Sequence, residues 1–145
     1  MKTKIKKEWP GKIKGINELH NNSKKWLSEI EFTKYEIQFL SHLLSSKYID
    51  YLDSGLFKKI SEFSSAIFNK KKDFTDLKEL VLEHEKTLSN LINQNAIVGN
   101  TNYLATHEKI GKEINITLKD YKNLKLQIFD IVEGVMRLKD QKKLA

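Results

Sequence analysis

The sequence predicts an all-α fold, an elongated antiparallel bundle of three long helices. Apolar residues recur every three or four positions through three segments of about 40 residues, the spacing that lets a helix bury one stripe against its neighbours. The only proline is Pro10, and short stretches with glycine or asparagine, which end helices, separate the segments. Because the segments are about equal in length, none is expected to leave its apolar stripe uncovered at one end.

Composition limits the class of protein. A chain of 145 residues fits one domain that buries roughly 70% of its unfolded surface, and we expect a basic flexible arm over residues 1–13 and a single helical-bundle domain over 14–142. The absence of cysteine excludes thiolate metal sites and a disulfide scaffold. No apolar run has the length of a signal peptide or a transmembrane helix. We therefore expect a cytoplasmic protein without a transmembrane segment.

The formal charge of +7 is concentrated at the two ends. Residues 1–14 carry a net +5 and residues 137–145 a net +3, which leaves the remainder at about −1. Arg137 is the only arginine, and because arginine forks are the usual readers of bases, specific nucleic-acid recognition is not expected. The lysine-rich ends suit weak binding to nucleic acid or an anionic membrane, although an AT-rich genome would produce the same lysine excess. Three helices would place these ends at opposite poles, and four would bring them together.

The first helix is predicted to begin near Lys14 to Asn17, because Trp9-Pro10-Gly11 does not fit inside a helix. It extends to about Leu52, where Asp53-Ser54-Gly55 provides a stop and a turn. Its inward positions are Leu19, Ser23, Trp26, Ile30, Thr33, Ile37, Leu40 and Leu44.

The second helical region runs from about Leu56 to Asn95 and contains one polar interruption, Lys70 to Asp73. The heptad phase is the same on both sides of the interruption, which favours one continuous helix. If Asp73 is instead an N-cap, the chain turns there and forms a four-helix up-and-down bundle. The inward positions are Ile60, Phe63, Ile67, Lys70, Phe74, Leu77, Val81, His84, Leu88 and Leu91.

The last helix follows a break between Ala96 and Asn102. There Gly99 offers a left-handed cap, and a threonine or asparagine after it offers an N-cap. The predicted stripe is Tyr103, His107, Ile110, Ile114, Thr117, Tyr121, Leu124, Ile128, Ile131, Val135 and Leu138, backed by Leu118, Phe129 and Val132.

The histidines are the residues most suited to chemistry in a chain without cysteine. The spacings of di-iron, hemerythrin-type and zinc-protease sites are all missing, and so are nucleophile and phosphate-binding motifs. We therefore expect no enzyme and no cofactor. His84 and His107 occupy inward positions, where a hydrogen bond to a neighbouring Glu, Asn or Thr is the usual role. The alternative is a metal or small-ligand site formed by His20, His84 and His107.

A second apolar stripe lies on the first helix, away from its inward stripe. Phe32, Tyr35 and Phe39 are spaced i, i+3, i+7, and Leu43 continues the line. A helix with two apolar sides sits centrally, packs against a fourth helix or faces a partner. The leading hypothesis is thus a non-enzymatic helical-bundle protein that acts through protein contacts, as a homo-oligomer or with a protein partner.

One order of aromatic, acidic and aliphatic residues runs through the first two predicted helices. It consists of Trp26, Glu29, Ile30, Phe32, Glu36, Phe39, Leu40 and Leu44, then Ile60, Phe63, Leu77 and His84-Glu85. This order, over about half of the chain, resembles small helical proteins of flavobacterial genomes to which no function is assigned. The resemblance implies a long continuous second helix and a bacterial, cytoplasmic setting. It implies no activity and no site residues.

Overall fold

The computed structural model describes residues 15–46, 48–97 and 100–144, and every regular element in these ranges is an α-helix. The order is α1 (Ile16–Ser46), α2 (Tyr48–Ser54), α3 (Phe57–Asn93) and α4 (Thr101–Leu144). The predicted all-α class is confirmed. The predicted basic arm over residues 1–13 lies outside the described residues. None of the described helices combines the length and the apolar composition needed to cross a membrane.

Helix α3 is continuous through the polar interruption at Lys70 to Asp73. Asp73 therefore lies within this helix, whose N-cap is Leu56. Lys70 is half-buried and its ammonium lies 3.8 Å from the Asp73 carboxylate one turn later, while Lys71 and Lys72 are exposed. The lysines thus lie along a solvated face of the helix, with the alkyl stem of Lys70 against the core. Phe74 then resumes the buried stripe.

The chain between α1 and α3 follows the predicted turn closely. Helical residues reach Ser54, near the predicted limit at Leu52, and Lys47 between α1 and α2 lies outside the described residues. Gly55 has a φ of +76°, a left-handed conformation that costs glycine little. Tyr51 of α2 is fully buried and donates a hydrogen bond to the carbonyl of Leu43. Helix α2 therefore closes one end of the core.

Helices α1 and α3 run antiparallel. Lys78 donates to Glu31 at 3.2 Å, and His20 pairs with Glu85 at 3.0 Å. As the position on α1 moves toward the N-terminus, the partner on α3 moves toward the C-terminus. The two contacts therefore fix both the direction and the register of this helix pair.

Helix α4 runs parallel to α1 and therefore antiparallel to α3. His107 bonds to Asn22, and Tyr121 bonds to Glu36; in both pairs the partners are 85 residues apart. A constant separation in sequence is what parallel helices produce. The side chains of α1, α3 and α4 consequently meet in a main core, and a smaller apolar cluster of Leu19, Leu88, Ile97 and Tyr103 lies beside it; most residues of the predicted stripes are buried.

Several residues of the predicted stripes are exposed or only partly buried. Helix α4 has 44 residues and α3 has 37, while α1 and α2 together reach from Ile16 to Ser54, so α4 is the longest of the three segments. Leu138, predicted to face inward near the end of α4, is exposed, and so is Phe129. Trp26 and Leu91 are only partly buried.

The turn between α3 and α4 uses asparagines. Asn95 adopts a left-handed conformation with a φ of 54°, which asparagine tolerates better than most residues. The side-chain oxygen of Asn100 accepts a hydrogen bond of 2.9 Å from the backbone N–H of Tyr103. This bond is an N-cap, which confirms the predicted asparagine cap of the last helix. The predicted glycine cap, Gly99, lies outside the described residues.

Candidate functional site

The predicted second stripe of α1 lies on the protein surface. Phe32, Tyr35 and Phe39 are 64%, 67% and 60% exposed, and we call these three residues the aromatic stripe. Leu43, the fourth predicted member, is partly buried and packs against the core. Single exposed apolar residues are normal in soluble proteins, whereas aromatic residues in a row on one helix face mark an interaction surface.

Charged residues of both signs border the aromatic stripe. On the side of α3, Glu31 forms an ion pair with Lys78 at 3.2 Å. On the side of α4, Glu36 accepts hydrogen bonds from Lys125 at 3.0 Å and from the hydroxyl of Tyr121 at 2.9 Å. An apolar centre with a rim of mixed charge is the usual layout of a protein interface.

His84 and His107 form a hydrogen-bonded pair inside the bundle. Nε2 of His84 lies 2.8 Å from Nδ1 of His107, and Nε2 of His107 lies 3.0 Å from Oδ1 of Asn22. An amide oxygen can only accept, so Nε2 of His107 carries a proton and its Nδ1 accepts one from His84. The resulting chain of bonds joins α3, α4 and α1. His107 thus bonds to an asparagine, one of the expected partner types, whereas His84 bonds to the other histidine.

Aromatic rings enclose the histidine pair. The ring of Tyr103 stacks on His84 with centroids 4.2 Å apart and planes 2° apart. The indole of Trp26 lies 4.6 Å from the ring of His107 and packs against Gly111, where an added Cβ would approach the indole to 3.1 Å. A glycine at this position therefore allows the indole to lie close to α4.

Burial lowers the pKa of His84 from its ordinary value of 6.5, and the nearby carboxylate of Glu85 opposes this effect. The ring is therefore held in its neutral form at neutral pH. Burial also raises the pKa of Tyr103, with Glu85 adding to the shift. His84 and Tyr103 are therefore both uncharged near neutral pH.

The free energy of unfolding is expected to fall as the pH is lowered through about 6.5. Above that value His84 is neutral in both folded and unfolded chains, and its contribution is fully present. Below it the unfolded chain takes up a proton first, because the pKa of His84 is lower in the folded protein. Stability is then lost as the pH falls toward the folded pKa, with a slope of at most about 1.4 kcal/mol per pH unit.

Urea unfolding at several pH values above and below 6.5 measures this slope. His84→Gln should flatten it, whereas His42→Gln, which changes an exposed histidine of α1, should leave it as in the original chain. An unchanged slope in His84→Gln would contradict the assignment.

His20, the third predicted ligand, does not join the pair. It is exposed, and its Nδ1 lies 3.0 Å from a carboxylate oxygen of Glu85. The structure therefore brings together two of the three histidines that the metal hypothesis requires. Within the described ranges there is no group of three or more His, Cys, Asp or Glu residues placed to hold a metal ion.

Two buried hydroxyls have no hydrogen-bond partner in the part of the chain that the structure describes, those of Ser23 and Tyr103. Ser23 occupies a predicted inward position of α1, and Tyr103 begins the stripe of α4. An unpaired buried hydroxyl costs about 1–3 kcal/mol. Both residues lie in the half of the bundle that contains the histidine pair. The free-energy cost of unpaired buried hydroxyls therefore falls on this half and not on the aliphatic core.

A groove with a volume of about 430 Å³ lies between α3 and α4, beside His84 of the histidine pair. His84 and Tyr103 line it together with Leu80, Leu91 and Ile110. The groove also contains hydroxyl and amide side chains from both helices. It is thus an apolar depression with a few polar groups, the usual composition of a small-molecule site.

Sequence reasoning identified the inward histidines but not their partners. It did not pair His84 with His107, nor His107 with Asn22. It also assigned no structural role to Glu36, which is half-buried and bonded to α4. The groove had no sequence signal, because it arises from the spacing of two helices and not from a motif.

The chain matches no protein-family model, no curated protein and no solved structure in the comparisons made. The function must therefore be argued from the geometry of the molecule.

Proposed function

We propose that this protein is a non-enzymatic elongated antiparallel bundle of three long helices that self-associates through the aromatic stripe. The observation that carries the proposal is the exposure of Phe32, Tyr35 and Phe39 along one face of α1, each by 60% or more. A bundle that needed these rings for its own core would bury them. The exposure of three aromatic rings to water has an unfavourable free energy. Burial of the rings against a partner surface removes this cost.

A second copy of the chain is the partner that fits this surface. Phe32 and Phe39 flank Tyr35 at spacings of three and four residues. A two-fold axis crossing α1 near Tyr35 sets Phe32 of one copy beside Phe39 of the other, so the stripe is complementary to itself. The rim carries both Glu31 and Lys78 on one side. Because both signs are present, the same surface offers each charge an opposite one in the second copy.

The expected dimer is weak. At about two-thirds exposure, each ring offers roughly 130 Å² of surface, so the three rings supply about 400 Å² per copy. The two copies together bury about 800 Å² from the stripe, and the flanking side chains bring the total to the lower end of specific interfaces. Self-association is therefore expected in the micromolar range and to depend on concentration.

Sedimentation of the purified protein over low to high micromolar concentrations tests the proposal. Phe39→Asp places a charge within the stripe, where Phe39 meets Phe32 of the second copy, and should make the protein monomeric at every concentration. Phe68→Asp is the matched control, because Phe68 lies on α3 and is also 68% exposed. This control should associate like the original chain.

Two results would remove the basis of the proposal. One is a monomer at high micromolar concentration before any substitution is made. The other is equal loss of association in Phe39→Asp and Phe68→Asp, which would indicate nonspecific adhesion of apolar surface. Circular dichroism of each variant establishes that the helices are intact.

The polyanion alternative depends on residues 1–14, which lie outside the described residues. Helix α4 runs parallel to α1, which favours basic ends at opposite poles over a single basic patch. The weak polyanion role stays a prediction, as does the cytoplasmic setting that the resemblance implies.

A further inference from the structure

The groove between α3 and α4 has the size and lining of a ligand site. Its volume of about 430 Å³ is within the range of about 300–1,000 Å³ that small-molecule pockets occupy. Its lining includes the stacked rings of His84 and Tyr103, and Leu80 and Ile110 extend the apolar lining. A planar apolar molecule would cover this surface.

His84 offers one unused hydrogen-bonding atom toward the groove. Its Nε2–H is committed to His107, so Nδ1 keeps the lone pair of the neutral ring. Nδ1 makes no hydrogen bond within the residues that the structure describes, although His84 is only 5% exposed. Nδ1 is not one of the buried unpaired atoms of the described residues, so it is open to water and can accept a hydrogen bond from a ligand that carries an O–H or N–H group.

The charge of the lining excludes one class of ligand. Glu83 is the charged residue among the lining residues, and Thr87, Asn100, Asn102 and Thr106 are neutral. The neighbouring depression, which shares Leu80 and Glu83 with the groove, adds Asp76, Glu79 and Lys86, so acidic residues outnumber the lysine there. A carboxylate or phosphate in the groove would face negative charge without an adjacent arginine or lysine in the lining, whereas a cation would be attracted.

We propose that this groove binds a flat, neutral or positively charged organic molecule that donates a hydrogen bond to Nδ1 of His84. The proposal goes beyond self-association, because the groove belongs to α3 and α4 and the aromatic stripe belongs to α1. It also differs from a metal site, since the histidine nitrogens that face each other are bonded to one another.

Three related probes test the proposal. Tyramine combines a phenol with an ammonium group, 4-hydroxyphenylacetate combines the same phenol with a carboxylate, and 2-phenylethylamine has the ammonium group without the hydroxyl. Each is titrated into the Phe39→Asp variant, so that self-association does not contribute, and amide chemical shifts are followed by NMR. Binding of fragments of this size is expected in the millimolar range.

Tyramine should shift amides around His84 and Tyr103 in a saturable way. The dissociation constant should be at least about tenfold larger for 4-hydroxyphenylacetate, because of the charge of Glu83, and several-fold larger for 2-phenylethylamine, which lacks the phenol O–H that donates to His84 while the ammonium group faces Glu83. Glu83→Gln should reduce the preference for tyramine over the carboxylate probe. Glu62→Gln is the control, because Glu62 is exposed on α3 and lines neither the groove nor the neighbouring depression.

Thr87→Trp should abolish tyramine binding, since Thr87 is an exposed residue of the groove wall and an indole there fills the space. Several results would overturn the proposal. These are no saturable shift with tyramine, shifts that map away from the groove, equal affinity for the anionic probe or for 2-phenylethylamine, or unchanged binding in Thr87→Trp with an intact fold.

Discussion

Phe74→Ala is expected to lower the free energy of unfolding by about 3–5 kcal/mol. Phe74 is fully buried at the middle of α3, and its ring meets the ring of Tyr121 on α4 edge to face, with centroids 5.9 Å apart and an angle of 87°. Truncation leaves a cavity that the surrounding helices fill only in part, and it also removes the aromatic pair. Urea unfolding measures the loss, and the melting temperature should fall by about 10–20 °C.

Phe68→Ala is the matched control for this prediction. Phe68 lies on the same helix, six residues earlier, but it is 68% exposed. Its truncation should change the free energy of unfolding by no more than about 0.5 kcal/mol. If the two variants lose similar stability, or if Phe74→Ala loses less than about 1 kcal/mol, α3 does not present the face that the structure assigns to it.

This pair of phenylalanines shows why so much of the fold could be predicted from the sequence. Phe74 continues the heptad phase of Ile67 across a run of lysines, whereas Phe68 falls outside that phase. Helix geometry places residues three or four apart on one face, so the phase alone separates core from surface. The same reasoning predicted correctly that Phe32 and Tyr35 lie off the core.

The contacts between helices could not be predicted in the same way. A stripe defines the inward face of each helix, but it defines neither the axial register of two helices nor which neighbour a flanking residue meets. For this reason the sequence indicated that His84 and His107 face inward but did not pair them. Glu36 is a similar case, because its bond to Tyr121 depends on the parallel alignment of α1 and α4.

His107→Ala is expected to lower the free energy of unfolding by about 2–4 kcal/mol. His107 is almost completely buried and bonds to His84 and Asn22. Its removal leaves the Nε2–H of His84 without its acceptor in a dry interior, and it also leaves a cavity beside Trp26. Urea unfolding at pH above 6.5, where His84 is neutral, isolates this loss from the pH effect.

A double-mutant cycle distinguishes the hydrogen bond between the histidines from simple packing. His84→Ala and His107→Ala combined should lose about 1–2 kcal/mol less than the two separate losses added together, because each single change already breaks the shared bond. Packing alone would also couple neighbours, so a second cycle of His107→Ala with Val81→Ala, which removes a buried apolar side chain one turn before His84, gives the comparison. Equal coupling energies in the two cycles would show that the two histidines stabilise the protein only through packing and that their hydrogen bond adds nothing. Larger coupling for the histidines would establish that a polar bond fixes the register of α3 against α4, the role that polar residues at inward positions have in coiled coils.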